Sequence, residues 1–213
     1  MPGQTTYARE QARQATRSDV PANYLGVHRW YLRMDDPATK IEDIPTPDGV
    51  TQMRAIDPTI SFYRFLYHTA GEQYLWGDRR RKSDDELALL ITPETIHLVV
   101  VYQHGVPAGF FELDFADAAA TNLKYFALLP GFTGKGLGRF MLNACVSYVA
   151  ERNSGPLTLD TCTLDHPVAL LNYQARGFQI YHSEDEIYPD PRLDGTVPFD
   201  AGPHLPPAKT SSP

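Results

Sequence analysis

Apolar positions in this chain change period several times, and the changes mark its elements. Residues 96–103 (IHLVVVYQ) and 106–115 (VPAGFFELDF) are strand-like apolar runs on either side of His104-Gly105, a pair suited to a two-residue hairpin turn. A third strand, residues 122–129 (NLKYFALL), is closed by Pro130. The period then becomes helical. Leu137, Phe140, Met141, Ala144, Cys145, Tyr148 and Val149 fall on one side of a helix predicted over 137–152. Next come a strand at 156–162, a short helix at 166–176 ended by Gly177, and a strand at 178–182, with 186–188 as its candidate partner. Upstream, strands are predicted at 27–34 and 50–56, separated by a loop containing Pro37, Pro45, Pro47 and Gly49. A helix follows Asp57-Pro58-Thr59, with Asp57 as its candidate cap and Ile60, Tyr63, Leu66, Tyr67, Ala70 and Tyr74 on one face. Another short helix covers 84–91.

Strand–helix–strand units joined to hairpins predict an α/β (α+β) protein, a mixed sheet with helices packed on it. Residues 1–22 lack an apolar period and are expected to be a flexible N-terminal segment; 23–188 form a single domain. Residues 189–213 contain Pro189, Pro191, Pro198, Pro203, Pro206, Pro207 and Pro213, which predict an extended tail. The 213 residues, 42% of them hydrophobic, suffice for one domain with a full core plus extensions.

A net charge of −7 argues against a nucleic-acid partner. The local run Arg79-Arg80-Arg81-Lys82 faces Asp84, Asp85 and Glu86 and reads as a solvated helix end. Two cysteines, Cys145 and Cys162, fall inside elements and read as buried thiols, for which a reducing cytoplasm is the simplest setting. No metal set is evident. No apolar run reaches membrane-spanning length, and the charged N-terminal segment is no signal peptide.

The stretch richest in chemistry is Gly131-Phe132-Thr133-Gly134-Lys135-Gly136-Leu137-Gly138-Arg139, between the third strand and the long helix. Glycines at 134, 136 and 138 let the backbone turn tightly and bring N–H groups near an anion, and the helix start adds partial positive charge. The Walker loop is excluded because Lys135 is followed by Gly136. The dinucleotide fingerprint is matched only in its first half, since Phe140 and Met141 stand where its third glycine belongs.

Further along, Tyr173-Gln174-Ala175-Arg176-Gly177-Phe178 places a tyrosine four residues before a Gly-Phe that ends a helix. This resembles the Tyr-x-x-x-Gly-Phe ending of the GCN5-related N-acetyltransferase (GNAT) superfamily. The glycine loop resembles that superfamily's Arg/Gln-x-x-Gly-x-Gly/Ala motif, with Gly136 and Gly138 at its two small positions. Thr133 stands at the first position in place of Arg or Gln, and His166 stands where an asparagine is common. The resemblance covers roughly 50–188 and implies a GNAT-like, mostly antiparallel central sheet flanked by helices. It also implies an acetyltransferase that moves an acetyl group from acetyl-CoA to a primary amine of a small molecule or peptide; a cytoplasmic monomer or homodimer is expected. The alternative is a non-catalytic acyl-CoA-binding or sensor domain.

On that resemblance, the backbone of Phe126, Ala127 and Leu128 pairs with the pantetheine arm, and a main-chain N–H there supports the oxyanion. Phe132, Thr133, Gly134, Lys135, Gly136, Leu137, Gly138 and Arg139 hold the diphosphate, with His166 and Tyr173 alongside the cofactor. Tyr173 stands at the general-acid position: a phenol (pKa about 10) can give its proton to a departing thiolate (about 8.5). The acceptor amine needs a base. Candidates are Glu112, Asp114, Tyr125, Asp160, Asp165 and His166, with Glu112 the preferred one. Tyr74, Trp76 and Asp78, with Tyr125, are the candidate acceptor wall, aromatic with one carboxylate. Tyr63 and Tyr67 extend that wall, and a core-facing helix stripe is at least as good a reading for them.

Overall fold

The structure, a computed structural model, describes residues 2–15, 17–152 and 155–207. In chain order its main elements are α1 (Pro2–Ala15), β1 (Tyr24–Met34), β2 (Val50–Ala55), α2 (Ile60–Gly71), α3 (Asp84–Ile91), β3 (Ile96–Gln103), β4 (Val106–Asp114), β5 (Thr121–Leu128), α4 (Leu137–Ala150), β6 (Leu157–Cys162), α5 (Ala169–Ala175) and β7 (Gln179–Pro189). Hydrogen bonding joins seven strands in the order β2-β3-β4-β5-β6-β1-β7. The pairs β2–β3, β3–β4 and β4–β5 are antiparallel, and β5–β6 is parallel. The expected α/β architecture, a mixed and mostly antiparallel sheet with helices, is therefore present. The chain divides into two compact units. One comprises Met1–Leu32, Gly71–Arg81 and Asp160–Pro213, the other Arg33–Ala70 and Lys82–Leu159.

The second unit is built on the β3–β4 hairpin. His104 (φ +50°) and Gly105 (φ +80°) both occupy left-handed backbone, the twist a two-residue hairpin requires. Leu98–Val101 and Ala108–Leu113 are buried without alternation, as in central strands covered on both faces. Gly109 allows β4 to approach closely: a Cβ there would stand 2.8 Å from the Ala127 carbonyl oxygen and 3.0 Å from Met141 Sδ of α4. A bulge between Glu112 and Leu113 leaves Lys124 without a partner in register and sets Tyr125 opposite Glu112. α4 buries Leu137, Met141, Leu142, Asn143, Ala144, Cys145, Val146 and Val149, a wider face than the one-sided stripe predicted. α3 carries a capping box, with Ser83 accepting from the Glu86 N–H and Glu86 accepting from the Ser83 N–H. α2 is capped by Thr59, whose Oγ1 accepts from the Phe62 N–H at 3.3 Å; Asp57, the expected cap, instead turns the chain at φ +49°.

The first unit departs from expectation at both chain ends. Residues 2–15, expected to be flexible, form α1. Tyr7 anchors it: its ring is 3% exposed, and its hydroxyl lies 2.8 Å from the carbonyl oxygens of both Thr163 and Asp165. One aromatic residue gives no period, so the anchor is invisible to pattern reading. The tail over 190–207, expected to be extended, folds back in turns. Val197, Ala201 and Leu205 pack with Leu75, Val27, Cys162 and Leu164. Met1, Thr16, Asn153, Ser154 and the end of the tail from Ala208 lie outside the described residues. β7 is one continuous strand, in place of a strand with a separate partner at 186–188. Arg79 is buried and Arg80, half-buried, lies 3.8 Å from Glu72, so the first half of the basic run is packed; Arg81, which donates to Asp194 at 2.8 Å, and Lys82 are exposed. Cys145 and Cys162 are buried free thiols, as expected.

Asp185 on β7 ties α1 to the strands. It accepts from Arg13 at 2.6 and 2.8 Å, from Gln14 at 2.8 Å and from His28 Nδ1 at 2.6 Å. The Arg13 hydrogen bonds hold its carboxyl well below the usual carboxylate range. A depressed folded value stabilises the protein above the ordinary value of about 3.9, and this stabilisation is lost as pH falls through the folded value. Asp185→Asn is therefore expected to loosen α1 at pH 7, with its difference from wild type shrinking below about pH 3.9. Fluorescence of Trp30, whose ring centroid lies 4.7 Å from that of His28 and 6.4 Å from that of Tyr7, reads this directly. A difference that persists unchanged to pH 2 would contradict the tie.

Candidate active site

The glycine loop leaves β5 at Leu128 and enters α4 at Leu137 within one unit. Gly131 (φ +88°), Gly134 (φ +76°) and Gly136 (φ +81°) all adopt left-handed backbone, and open space surrounds the point where each would carry a Cβ. Gly136 is the N-cap of α4 and offers no side chain to cap it. The Arg139 N–H reaches the Gly136 carbonyl at 3.2 Å, so the leading N–H groups, those of Leu137 and Gly138, have no acceptor within their own helix. Thr133, Gly134, Lys135, Gly136 and Arg139 are exposed, Phe132 and Gly138 are half-buried, and Leu137 is buried. The Lys135 ammonium lies 6.0 Å from the Phe132 ring centroid. Main-chain donors and a helix start thus stand in an exposed turn that also carries Lys135 and Arg139, a combination suited to a phosphate-bearing ligand. The fit is to an anion held mainly by backbone.

Left-handed conformation costs a non-glycine residue roughly 1–2 kcal/mol. Gly136→Ala is accordingly expected to lower unfolding stability by about 1 kcal/mol and to weaken binding of a diphosphate ligand. Urea denaturation and calorimetry measure the two effects. An Ala variant as stable as wild type would show that the turn does not require this backbone.

On β5, Phe126 pairs with Phe111, Ala127 with Phe110 and Leu128 with Gly109. Ala127 is buried, and Phe126 and Leu128 are half-buried. The parallel pairs with β6 are Thr121↔Leu157, Asn122↔Thr158 and Leu123↔Leu159, so Phe126–Leu128 lie beyond them along β5. Glu112, opposite Tyr125, is fully buried and accepts from the Tyr63 hydroxyl at 2.7 Å. Tyr63 stacks on Tyr67 at 6.1 Å, and Tyr67 meets the Tyr125 ring edge-on at 5.1 Å. The α2 tyrosines therefore close over the carboxylate, and Tyr63 and Tyr67 are core residues. Asp114 lies 3.8 Å from the Lys124 ammonium and accepts from the Ala116 N–H.

The remaining candidates belong to the other unit. Tyr173 on α5 is 8% exposed and meets the Phe178 ring edge-on at 5.8 Å. Its motif partner Gly177 turns the chain at φ +98°, which explains the glycine. His166 precedes α5, with its Nδ1 accepting from the Val168 N–H at 3.3 Å, and burial pulls its pKa down. Tyr74, Trp76 and His166 come together: Tyr74 lies 6.3 Å from Trp76 and 6.4 Å from His166, and His204 of the tail joins at 5.9 Å. Leu75 between them sits at φ +56°, a strained geometry for a leucine, and is held by burial. Asp78 is exposed and accepts from Tyr188 at 3.1 Å.

Two base candidates have structural duties. Asp160 is ion-paired with Arg29. Asp165 is half-buried and accepts from the Thr161 hydroxyl at 2.7 Å and the Cys162 N–H at 3.0 Å. Burial raises its pKa. It closes a turn and does not cap α5. Sequence reading missed Tyr63 as the partner of Glu112, and missed Asn143 and His204. A polar Asn143 amid the apolar α4 run was the signal available for one of them.

The family model described as "Acetyltransferase (GNAT) family" matches residues 62–178. Among solved structures, the chain is similar to a functionally unknown conserved protein from Staphylococcus epidermidis, with 15% identity and a TM-score of 0.59 over 85% of this chain and 66% of that one. It is also similar to a GCN5-related N-acetyltransferase from Kribbella flavida, with 18% identity and a TM-score of 0.53 over 80% and 63%. An aminoglycoside acetyltransferase from an uncultured soil metagenomic sample has 11% identity and a TM-score of 0.51 over 61% and 88%. The chain spans about two thirds of the length of the first two structures. No curated protein matches it. Among the described residues, no helix is long and apolar enough to cross a membrane.

Proposed function

Since the chain belongs to the GNAT acetyltransferase family, we propose that it transfers an acetyl group from acetyl-CoA to a primary amine of a small molecule or peptide. The observation that carries this reading is the glycine loop, a set of main-chain donors at the start of α4 in backbone only glycine adopts readily. Residues 132–138 bind the diphosphate there. The main chain of Phe126–Leu128 takes the pantetheine arm, and an N–H of that segment supports the oxyanion as the amine attacks the thioester carbon. When coenzyme A is bound it supplies the activated acyl group; the chain's own part is to position it, receive a proton from the amine and return one to the departing sulfur.

Tyr173 is proposed as the proton donor to the thiolate, on its place in the Tyr-x-x-x-Gly-Phe ending. Glu112 is proposed as the eventual proton acceptor. Its burial beneath Tyr63 requires that the proton reach it through that hydroxyl or a water. Tyr74, Trp76, Asp78 and Tyr125 are proposed to contact the acceptor. The same burial of Glu112 favours one second reading, a domain that binds acyl-CoA without turnover.

Calorimetry with acetyl-CoA and a thiol-release assay over a panel of small amines and peptides separate these readings. The first predicts binding and amine-dependent thiol release. Binding without release for any amine leaves the second, and no binding rejects both.

A further inference from the structure

The loop between β1 and β2 carries a carboxylate to the start of the helix behind the glycine loop. Glu42 is held there through its backbone by one buried side chain: Asn143 Oδ1 accepts from the Glu42 N–H at 2.9 Å, and Asn143 Nδ2 donates to the Glu42 carbonyl at 2.9 Å. Asn143 is 8% exposed. The Glu42 carboxylate in turn takes a hydrogen bond from Arg139 at 2.7 Å. Arg139 is the third residue of α4 and lies four residues before Asn143, on the same helix face.

The two ends of this device differ in rigidity. The Glu42 backbone is fixed by a two-way amide bond, whereas the Arg139 side chain is 73% exposed and the Glu42 side chain 41%. An exposed pair of this kind adds little to stability, while the Asn143 hydrogen bonds fix the Glu42 backbone and so the base from which its carboxylate reaches Arg139. The cation that Glu42 engages belongs to the first turn of α4, directly behind the glycine loop, where an anionic ligand is favoured by the helix field.

We propose that Glu42 stands in for a phosphate of the donor. In the free protein it engages Arg139, and on binding a donor phosphate takes Arg139 over, so Glu42 sets how tightly the donor is held. This rests on the functional reading above. The phosphate is either one phosphoryl of the diphosphate, which carries a single charge, or the ribose 3′-phosphate, a monoester carrying up to two; both offer paired anionic oxygens to a guanidinium. Arg139 is then the gripping cation, and Glu42 is a positioning residue that weakens ground-state binding and speeds release.

The test is a double-mutant cycle by calorimetry at low ionic strength. Glu42→Gln is expected to tighten acetyl-CoA about fivefold, the worth of one unit charge a few ångströms away in high dielectric. Arg139→Gln is expected to weaken binding by a similar factor, and in that background Glu42→Gln should gain less than about twofold. The gain should fade above about 0.3 M salt. Repeating the cycle with dephospho-coenzyme A assigns the source: coupling that survives places the phosphate in the diphosphate, and coupling that disappears places it on the 3′-position. A purely structural role would shift melting temperature and leave affinity and its salt dependence unmoved, and that result overturns the proposal. An equal gain with and without Arg139 also overturns it. If wild type binds no acetyl-CoA, the functional reading falls as well; normal wild-type binding without coupling sinks this proposal alone.

Discussion

Tyr173→Phe is expected to lower kcat for acetyl transfer by about 10²- to 10³-fold while leaving the Kd for acetyl-CoA within about twofold, the pattern of a lost proton donor. The expectation follows from matching acidities. An alkyl thiolate leaving at neutral pH is the conjugate base of an acid of pKa about 8.5, and a phenol of about 10 can shield or protonate it without being ionised beforehand. Phenylalanine keeps the ring that meets Phe178 at 5.8 Å, so the α5 packing survives and the effect is confined to the hydroxyl. A factor of 10² corresponds to about 2.7 kcal/mol of transition-state stabilisation, well above what a repacked ring alone would cost in rate. Stopped-flow thiol release and calorimetry on the same preparation supply both numbers. If kcat is unchanged while Kd rises, the residue only holds the cofactor. If neither form turns over any amine while both bind acetyl-CoA, the non-catalytic reading stands.

The elements legible in the sequence were those fixed by local chemistry. His104-Gly105 specifies its own left-handed turn, so the β3–β4 hairpin could be placed to the residue. The helix at 84–91 was placed correctly, although the capping box of Ser83 and Glu86 that starts it went unread. The glycine loop was legible for the same reason as the hairpin at Gly134 and Gly136; the third left-handed position is Gly131, not Gly138, which lies in the first turn of the regular helix. The misplaced cap of α2 shows the limit: Asp57 and Thr59 are both good caps, and only the backbone reversal at φ +49° decides between them. β7 runs unbroken through 183–185, which the sequence pattern leaves as a gap, and it carries Glu184, Asp185 and Glu186 in succession. Each has a partner far away in sequence, in Tyr31, Arg13 and Arg29. The Glu42–Asn143 contact joins residues 101 apart, and α1 docks through Tyr7 to carbonyls, and through Arg13 and Gln14 to Asp185, all more than 150 residues away. Nothing periodic announces such contacts, because side-chain-to-backbone bonds need no repeat. Within the candidate site, residue types were therefore readable, but the burial of Glu112 beneath Tyr63 was not.

The tail supplies the largest expected effect on stability. Asp190→Ala is expected to destabilise the protein by about 3–5 kcal/mol, because it strands a buried guanidinium. Asp190 and Arg192 side chains are 2% and 3% exposed and join through two bonds, at 2.9 and 2.7 Å, while Asp190 Oδ1 also accepts the Arg192 N–H at 3.1 Å. The Asp190 N–H donates to the Asn23 carbonyl, fixing this turn to the residue before β1. A loss of that size is a large share of the roughly 5–15 kcal/mol typical of folded domains. Asp190→Ala with Arg192→Met, which removes both charges, should recover much of it, since well-packed apolar replacements of buried pairs are often neutral. Urea denaturation of the three proteins measures this, read as a midpoint shift at unchanged slope. The same variants connect tail to site: His204 lies against Tyr74, so undocking the tail should alter acceptor KM at temperatures where the rest of the chain remains folded. A single Ala variant with the wild-type midpoint would mean that water, and not burial, surrounds Arg192 in solution.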